Sequence, residues 1–173
     1  MTRVKFLGRL FRLIKKLLAL LLAALLLVFS VSCGKDTVYS HAELIIGLDS
    51  DFKEVENRDF DVTYSNGKYM VAVLRISYVA GMLDGIPETM TTLEFGELWL
   101  TRCMRVATVM SGEITYAEYY SGIGAEEHYY FEAFYRSKYA YFAVIFATPE
   151  IFSESLREEF LAYTETVIFN YDK

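Results

Sequence analysis

Nucleophiles, general bases and metal ligands are scarce in this chain: it holds two histidines, His41 and His128, and two cysteines, Cys33 and Cys103. His128 follows Glu126 and Glu127, a pairing that serves acid–base or metal chemistry only when further ligands converge on it with second-shell support. Adjacent glutamates on a loop are ordinarily just solvated. Ser40-His41 and Ser121-Gly122-Ile123-Gly124 do not match a nucleophile elbow, which needs G-x-S-x-G on a strand-to-helix turn. Gly122-Ile123-Gly124 is not a phosphate loop either, because no basic residue or helix follows closely. Asp49-Ser50-Asp51 has the spacing of calcium-loop oxygens without the rest of that loop. We therefore expect no catalytic residue, no metal and no cofactor. Asp49, Asp51, Glu126 and His128 are the positions to revisit if a metal binds.

The tyrosines stand out. Eight of the 14 lie between residues 114 and 146, with Phe131, Phe134, Phe142 and Phe146 among them. Tyr116, Tyr119, Tyr130, Tyr135 and Tyr141 are the candidate binding surface, suited to a protein, a glycan or a hydrophobic ligand. Against that stands plain cross-strand packing, worth ~0.2–1 kcal/mol per aromatic pair.

Cys33 carries a different chemistry. Residues 1–16 contain Arg3, Lys5, Arg9, Arg12, Lys15 and Lys16 and no acid, and residues 17–31 (LLALLLAALLLVFSV) carry no charge. A basic region followed by an apolar run of this length is an export signal. It is short for a membrane span, which needs ~20 apolar residues. The run ends at Ser32-Cys33, which resembles the lipobox of bacterial lipoproteins, with Ser30 where Leu is usual. That resemblance implies a diacylglyceryl group on Cys33 and cleavage just before it. The alternative is an uncleaved signal anchor, with Leu10 to Val31 crossing the membrane. Both readings leave residues 34–173 on the extracytoplasmic face, because the basic flank stays inside.

Removing the six bases of the signal from the 17 in the chain leaves 11 against 23 acids, a net charge of −12 for the mature part. So acidic a domain repels phosphate backbones, which excludes nucleic acid as a partner. With Cys33 acylated, Cys103 has no partner for a disulfide.

The mature chain has the length of one domain. Residues 34–41 read as a polar tether and 42–48 as a first strand. Phe60, Val62 and Tyr64 alternate with polar residues, and Tyr69, Val71 and Val73 resume the pattern after Asn66-Gly67, a two-residue hairpin signal. Thr91 and Glu94 have capping-box spacing. Phe95, Trp99, Cys103, Val106 and Met110 then form one helical stripe, predicting a helix over 91–109 with Trp99 and Cys103 buried. Three strands follow, over 114–120, 128–136 and 139–148. Ser155 and Glu158 give a second capping-box spacing, ahead of a helix over 153–168. The order β-β-β-α-β-β-β-α predicts an α+β fold: a single antiparallel sheet of six strands covered by two helices.

The hairpin FDVTYSNGKYMVAVLRIS, the helix bearing Trp99, the aromatic hairpin HYYFEAFYRSKYAYFAVIFATP and the closing Thr166-Val167-Ile168-Phe169 together resemble the PsbP-like fold. In particular they resemble small lipoproteins of Firmicutes. The likeness spans most of 42–170 and lies in pattern and order. The family often has Pro near the end of the first strand, where this chain has Leu48 to Phe52 without one. The resemblance implies an assembly or interaction module that is not an enzyme, held at the membrane by its lipid, with an unknown protein or ligand as partner. A small-molecule or lipid binder with a tyrosine-lined pocket is the alternative.

Overall fold

The alternating segments of the chain close into two antiparallel sheets. The computed structural model describes residues 37–122 and 127–171. The expected lipid site Cys33, its export signal and Glu126 lie outside the described residues. The strands are β1 (Thr37–His41), β2 (Leu44–Leu48), β3 (Lys53–Glu54), β4 (Val62–Ser65), β5 (Met70–Ser77), β6 (Val109–Ser111), β7 (Thr115–Ser121), β8 (His128–Arg136), β9 (Ala140–Thr148) and β10 (Ile168–Phe169). The helices are α1 (Tyr78–Leu83), α2 (Thr92–Arg102) and α3 (Glu154–Glu165). The large sheet has the order β3-β4-β5-β9-β8-β7-β6, and the small one β1-β2-β10. The α+β class and antiparallel pairing hold. The single six-stranded sheet does not: the described residues form ten strands in two sheets. None of their helices is long and apolar enough to cross a membrane.

The polar composition of 37–41 reads as tether, yet these residues form β1, paired in register from Thr37↔Leu48 to His41↔Leu44. Tyr39 decides this. Its ring packs on Tyr64 at 4.6 Å and its hydroxyl donates to the Phe52 carbonyl at 2.5 Å. The paired residues Ser65↔Met70 make the 66–69 turn four residues long rather than two. Asn66 Oδ1 accepts from the N–H groups of Lys68 and Tyr69, at 3.0 and 2.7 Å, and Gly67 takes φ +86.

β9 is the spine of the large sheet and is buried at all nine positions. Phe142, Val144 and Phe146 join Val71, Val73, Tyr129, Phe131, Leu44, Ile46 and Phe160 in one core, under α3 and the small sheet. Tyr141, Ala143 and Ile145 join Ala72, Phe134, Tyr119 and Phe95 in a second core, under α2. A strand between two such layers must be apolar on both faces. α3 starts two residues earlier than the Ser155 spacing suggests, since Ser153 is its N-cap and accepts from Leu156 N at 3.2 Å.

α2 starts as predicted. Thr91 and Glu94 form the full capping box, with Thr91 N donating to Glu94 Oε2 at 2.8 Å and Glu94 N donating to Thr91 Oγ1 at 3.2 Å. It ends seven residues short of the expected 109. Met104 N donates to Thr101 O at 3.1 Å, Arg105 N donates to Leu100 O at 2.9 Å, and Met104 has φ +54. This is a Schellman termination with methionine in the left-handed position glycine usually fills. Beyond it Val106 is 99% exposed, and Trp99 and Cys103 are half-buried rather than buried.

Candidate functional site

The charge buried deepest sits in the middle of the aromatic strand. Glu132 on β8 lies between Ala117 of β7 and Ile145 of β9 and has no exposed surface. A carboxylate there is tolerated only with its oxygens bonded and a cation beside it. Trp99 Nε1–H donates to Oε1 at 2.7 Å. Arg105 Nη1 and the Tyr119 hydroxyl donate to Oε2 at 2.7 and 2.8 Å. Arg105 also bonds the Tyr119 oxygen and lies over the Tyr119 and Tyr130 rings, 5.1 and 6.0 Å from their centroids. Those two rings stack at 5.2 Å.

The left-handed Met104 is what brings Arg105 back over the sheet to reach Glu132. Burial, and then the Glu132 charge, hold the Tyr119 phenol far above its ordinary range, with Arg105 opposing. Burial also raises the Cys103 thiol, which Arg105 opposes and Glu132 reinforces, so Cys103 stays a protonated and unreactive thiol at neutral pH.

The other face of the sheet carries a second carboxylate–guanidinium pair. Glu118 of β7 receives Arg157 of α3 through Nε and Nη2, both at 2.8 Å, and the Tyr129 hydroxyl. Arg157 also bonds Glu154 at 2.5 Å and lies 4.6 Å from the Phe152 ring. Above this pair runs a groove of about 330 Å³, lined by Glu118, Tyr119, Tyr120, Tyr129, Ile151, Phe152 and Arg157. Its walls are open: Ile151 is 84%, Tyr120 46% and Phe152 36% exposed. The Tyr120 hydroxyl accepts from Phe152 N at 2.7 Å, which fixes one wall to the other.

A third pair, Glu43 with Arg75 at 3.0 and 3.3 Å and Ser137 Oγ at 2.9 Å, ties the small sheet to the large one. Burial alone raises the Glu43 carboxyl, but these hydrogen bonds outweigh it and hold the group below the usual carboxylate range. Its contribution to stability is therefore present above that range and is lost as pH falls through the lowered value.

The five tyrosines singled out from the sequence do not form one surface. Tyr141 has no exposed area: its ring stacks on Phe95 at 4.6 Å and its hydroxyl lies within 3.0 Å of the carbonyls of Pro87, Glu88 and Met90. Tyr119 is buried beside Glu132. Tyr130, half-buried, shares that face. Tyr116 and Tyr135 belong to the opposite face, the first stacked on Phe131 at 4.7 Å and the second donating to Thr164 O at 2.9 Å. The β period of two splits them, so the correction is geometric. The exposed aromatic site belongs instead to Tyr120 and Phe152, with Ile151. The signal for Glu132 was present in HYYFEAFYR: one acid in a strand apolar on both faces demands a partner.

His128 is half-buried at the start of β8, and Asp49 accepts from the Tyr163 hydroxyl at 2.5 Å. Among the described residues, no group of three His, Cys, Asp or Glu side chains is placed to hold a metal ion.

Comparison with family models and with curated proteins gives no match. Among solved structures, a protein of Bacteroides thetaiotaomicron VPI-5482 is similar, with a TM-score of 0.51 and 13% identity. The alignment covers 80% of this chain and 50% of that one, so this chain spans about half the length of the structure it matches. At that identity the likeness shows a shared fold alone.

Proposed function

We propose that this chain is a lipid-anchored, extracytoplasmic interaction module that binds without chemistry, and that the groove of Tyr120, Tyr129, Ile151 and Phe152 is its binding site. The observation that carries the reading is the combination in that groove: an apolar residue 84% exposed beside two aromatic walls, over an ion pair whose groups are already bonded to one another. Such a floor orients a ligand and supplies no free acid or base. The two buried glutamates, Glu43 and Glu132, are spent in the same way, on arginine and on Tyr, Trp or Ser donors. The export signal, the Ser32-Cys33 junction, the acidic mature domain and the PsbP-like resemblance support the anchored, non-enzymatic part.

A photoreactive residue at Ile151 of the anchored protein, in its own membrane, tests the site. A protein adduct that is absent when the same group replaces Leu83, on α1, is the expected result. The volume of the groove and its three tyrosines favour one second reading, a small apolar ligand, since pockets of ~300 Å³ and more hold such molecules. An adduct to a small molecule alone selects that reading, and no adduct removes both. Mass spectrometry of the extracted protein tests the anchor. A diacylated Cys33 at the N-terminus is expected, and an intact Met1 refutes it.

A further inference from the structure

The groove lies against a strand whose ladder is incomplete. β6 pairs with β7 only over Val109↔Ala117 to Ser111↔Thr115, whereas β7 continues to Ser121 and pairs with β8 along its whole length. Among the described residues, no strand pairs with Glu118–Ser121 on the outer side. Gly112 N donates to Ile114 O at 3.2 Å, and hydrogen-bonded pairs alternate along an antiparallel ladder. The alternation turns the N–H and C=O of Glu118 and Tyr120 outward, away from β8. An edge with outward donors and acceptors is a template for another strand. Here it borders the apolar groove directly, since Glu118, Tyr119 and Tyr120 line that groove.

We infer that the outer edge of β7 receives an extended segment of a partner protein, apolar at every second residue and basic between. This rests on the interaction-module reading and specifies its mode. Side chains of an added strand alternate between faces, so every second one falls over the groove beside Tyr120, Ile151 and Phe152. The charge of the segment follows from the acidic excess of the chain. The acids next to the groove wall, Glu150 and Glu154, are exposed but paired, Glu150 with Lys68 at 3.5 Å and Glu154 with Arg157 at 2.5 Å, and Arg157, the one base in the lining, is bound by Glu118 as well. The net charge of −12 on the mature chain opposes pairing with a second copy and favours a basic strand.

The probe is a hexapeptide of alternating lysine and valine, titrated into the full-length protein in detergent and read by fluorescence anisotropy. Binding is expected, with a loss of roughly tenfold or more on Ile151→Asp and none on Leu83→Asp. Glutamate in place of lysine abolishes it. The decisive comparison is the same peptide N-methylated on every backbone amide, which keeps charge and side chains but cannot join a ladder. It should not bind. If it binds as well as the parent, or if the parent does not bind, strand addition is overturned. A protein adduct at Ile151 in the membrane then still stands for the module reading, so the two fail separately. A dimer in sedimentation that Ile151→Asp abolishes places a second copy on the edge, which also overturns the proposal.

Discussion

Glu132 and Glu118 sit on neighbouring strands and each meets an arginine, yet the two neighbourhoods differ in what they leave over. Glu132 is sealed beneath α2. Its donors come from a helix, a loop and the next strand, its side chain has no exposure, and Arg105 keeps 23%. Glu118 lies on the opposite face with 12% exposure, under an open groove walled by Tyr120, Ile151 and Phe152. Similar chemistry therefore serves as a lock on one face and as a floor on the other. What separates them is cover: an eleven-residue helix lies over the first, while the chain before α3 passes the second only at its N-terminal turn.

Arg105→Ala tests the sealed side most severely. It leaves a carboxylate in the core without a cation and should lower stability by about 3–5 kcal/mol in denaturant unfolding. The double variant Arg105→Met, Glu132→Leu should recover most of that loss, and failure to recover would show that the cluster does more than satisfy Glu132. Gly96→Ala should cost about 1–3 kcal/mol by overpacking, because a Cβ there lies 2.7 Å from Cδ2 of the buried Phe134 ring. A neutral result would mean that α2 sits more loosely on the sheet than the contact implies.

On the open side, Arg157→Ala should cost only about 1–2 kcal/mol, since water reaches the Glu118 oxygens through the groove. Equal losses for Arg105→Ala and Arg157→Ala would erase the contrast. Met104→Gly should stabilise by about 1 kcal/mol, read as a rise in Tm, because it removes the penalty of a left-handed side chain while keeping Arg105 in place. The smallest effect is confined to alkaline pH. Burial, reinforced by the carboxylates they bond, raises Tyr119 beside Glu132 and Tyr129 beside Glu118 far above the ordinary tyrosine value of 10.0. Their stabilising effect is complete below that value in the unfolded chain and is lost as pH rises beyond it. An absorbance titration should therefore show both ionising only as the protein unfolds. Ionisation of Tyr129 ahead of Tyr119 would show that the groove admits water to its floor.

Much of the fold was legible locally. The capping box of Thr91 and Glu94, the place of the turn that begins at Asn66 (though not its length) and the boundaries of β8 and β9 follow from propensity and period, which act over a few residues. The acidic excess is likewise a property of composition. Three features were decided only by contacts distant in sequence. Residues 37–41 look like tether until Tyr39 meets Phe52 and Tyr64, and that strand joins β2 and β10 in a sheet of their own. The stripe through Val106 looks helical until Arg105 is drawn to Glu132, at the expense of a left-handed Met104. The donors on Glu132 stand 33, 27 and 13 positions away, a separation no local pattern encodes. The same holds for the groove. Its tyrosines were visible as residues, but which of them face water depends on strand register and on the layers that cover each face.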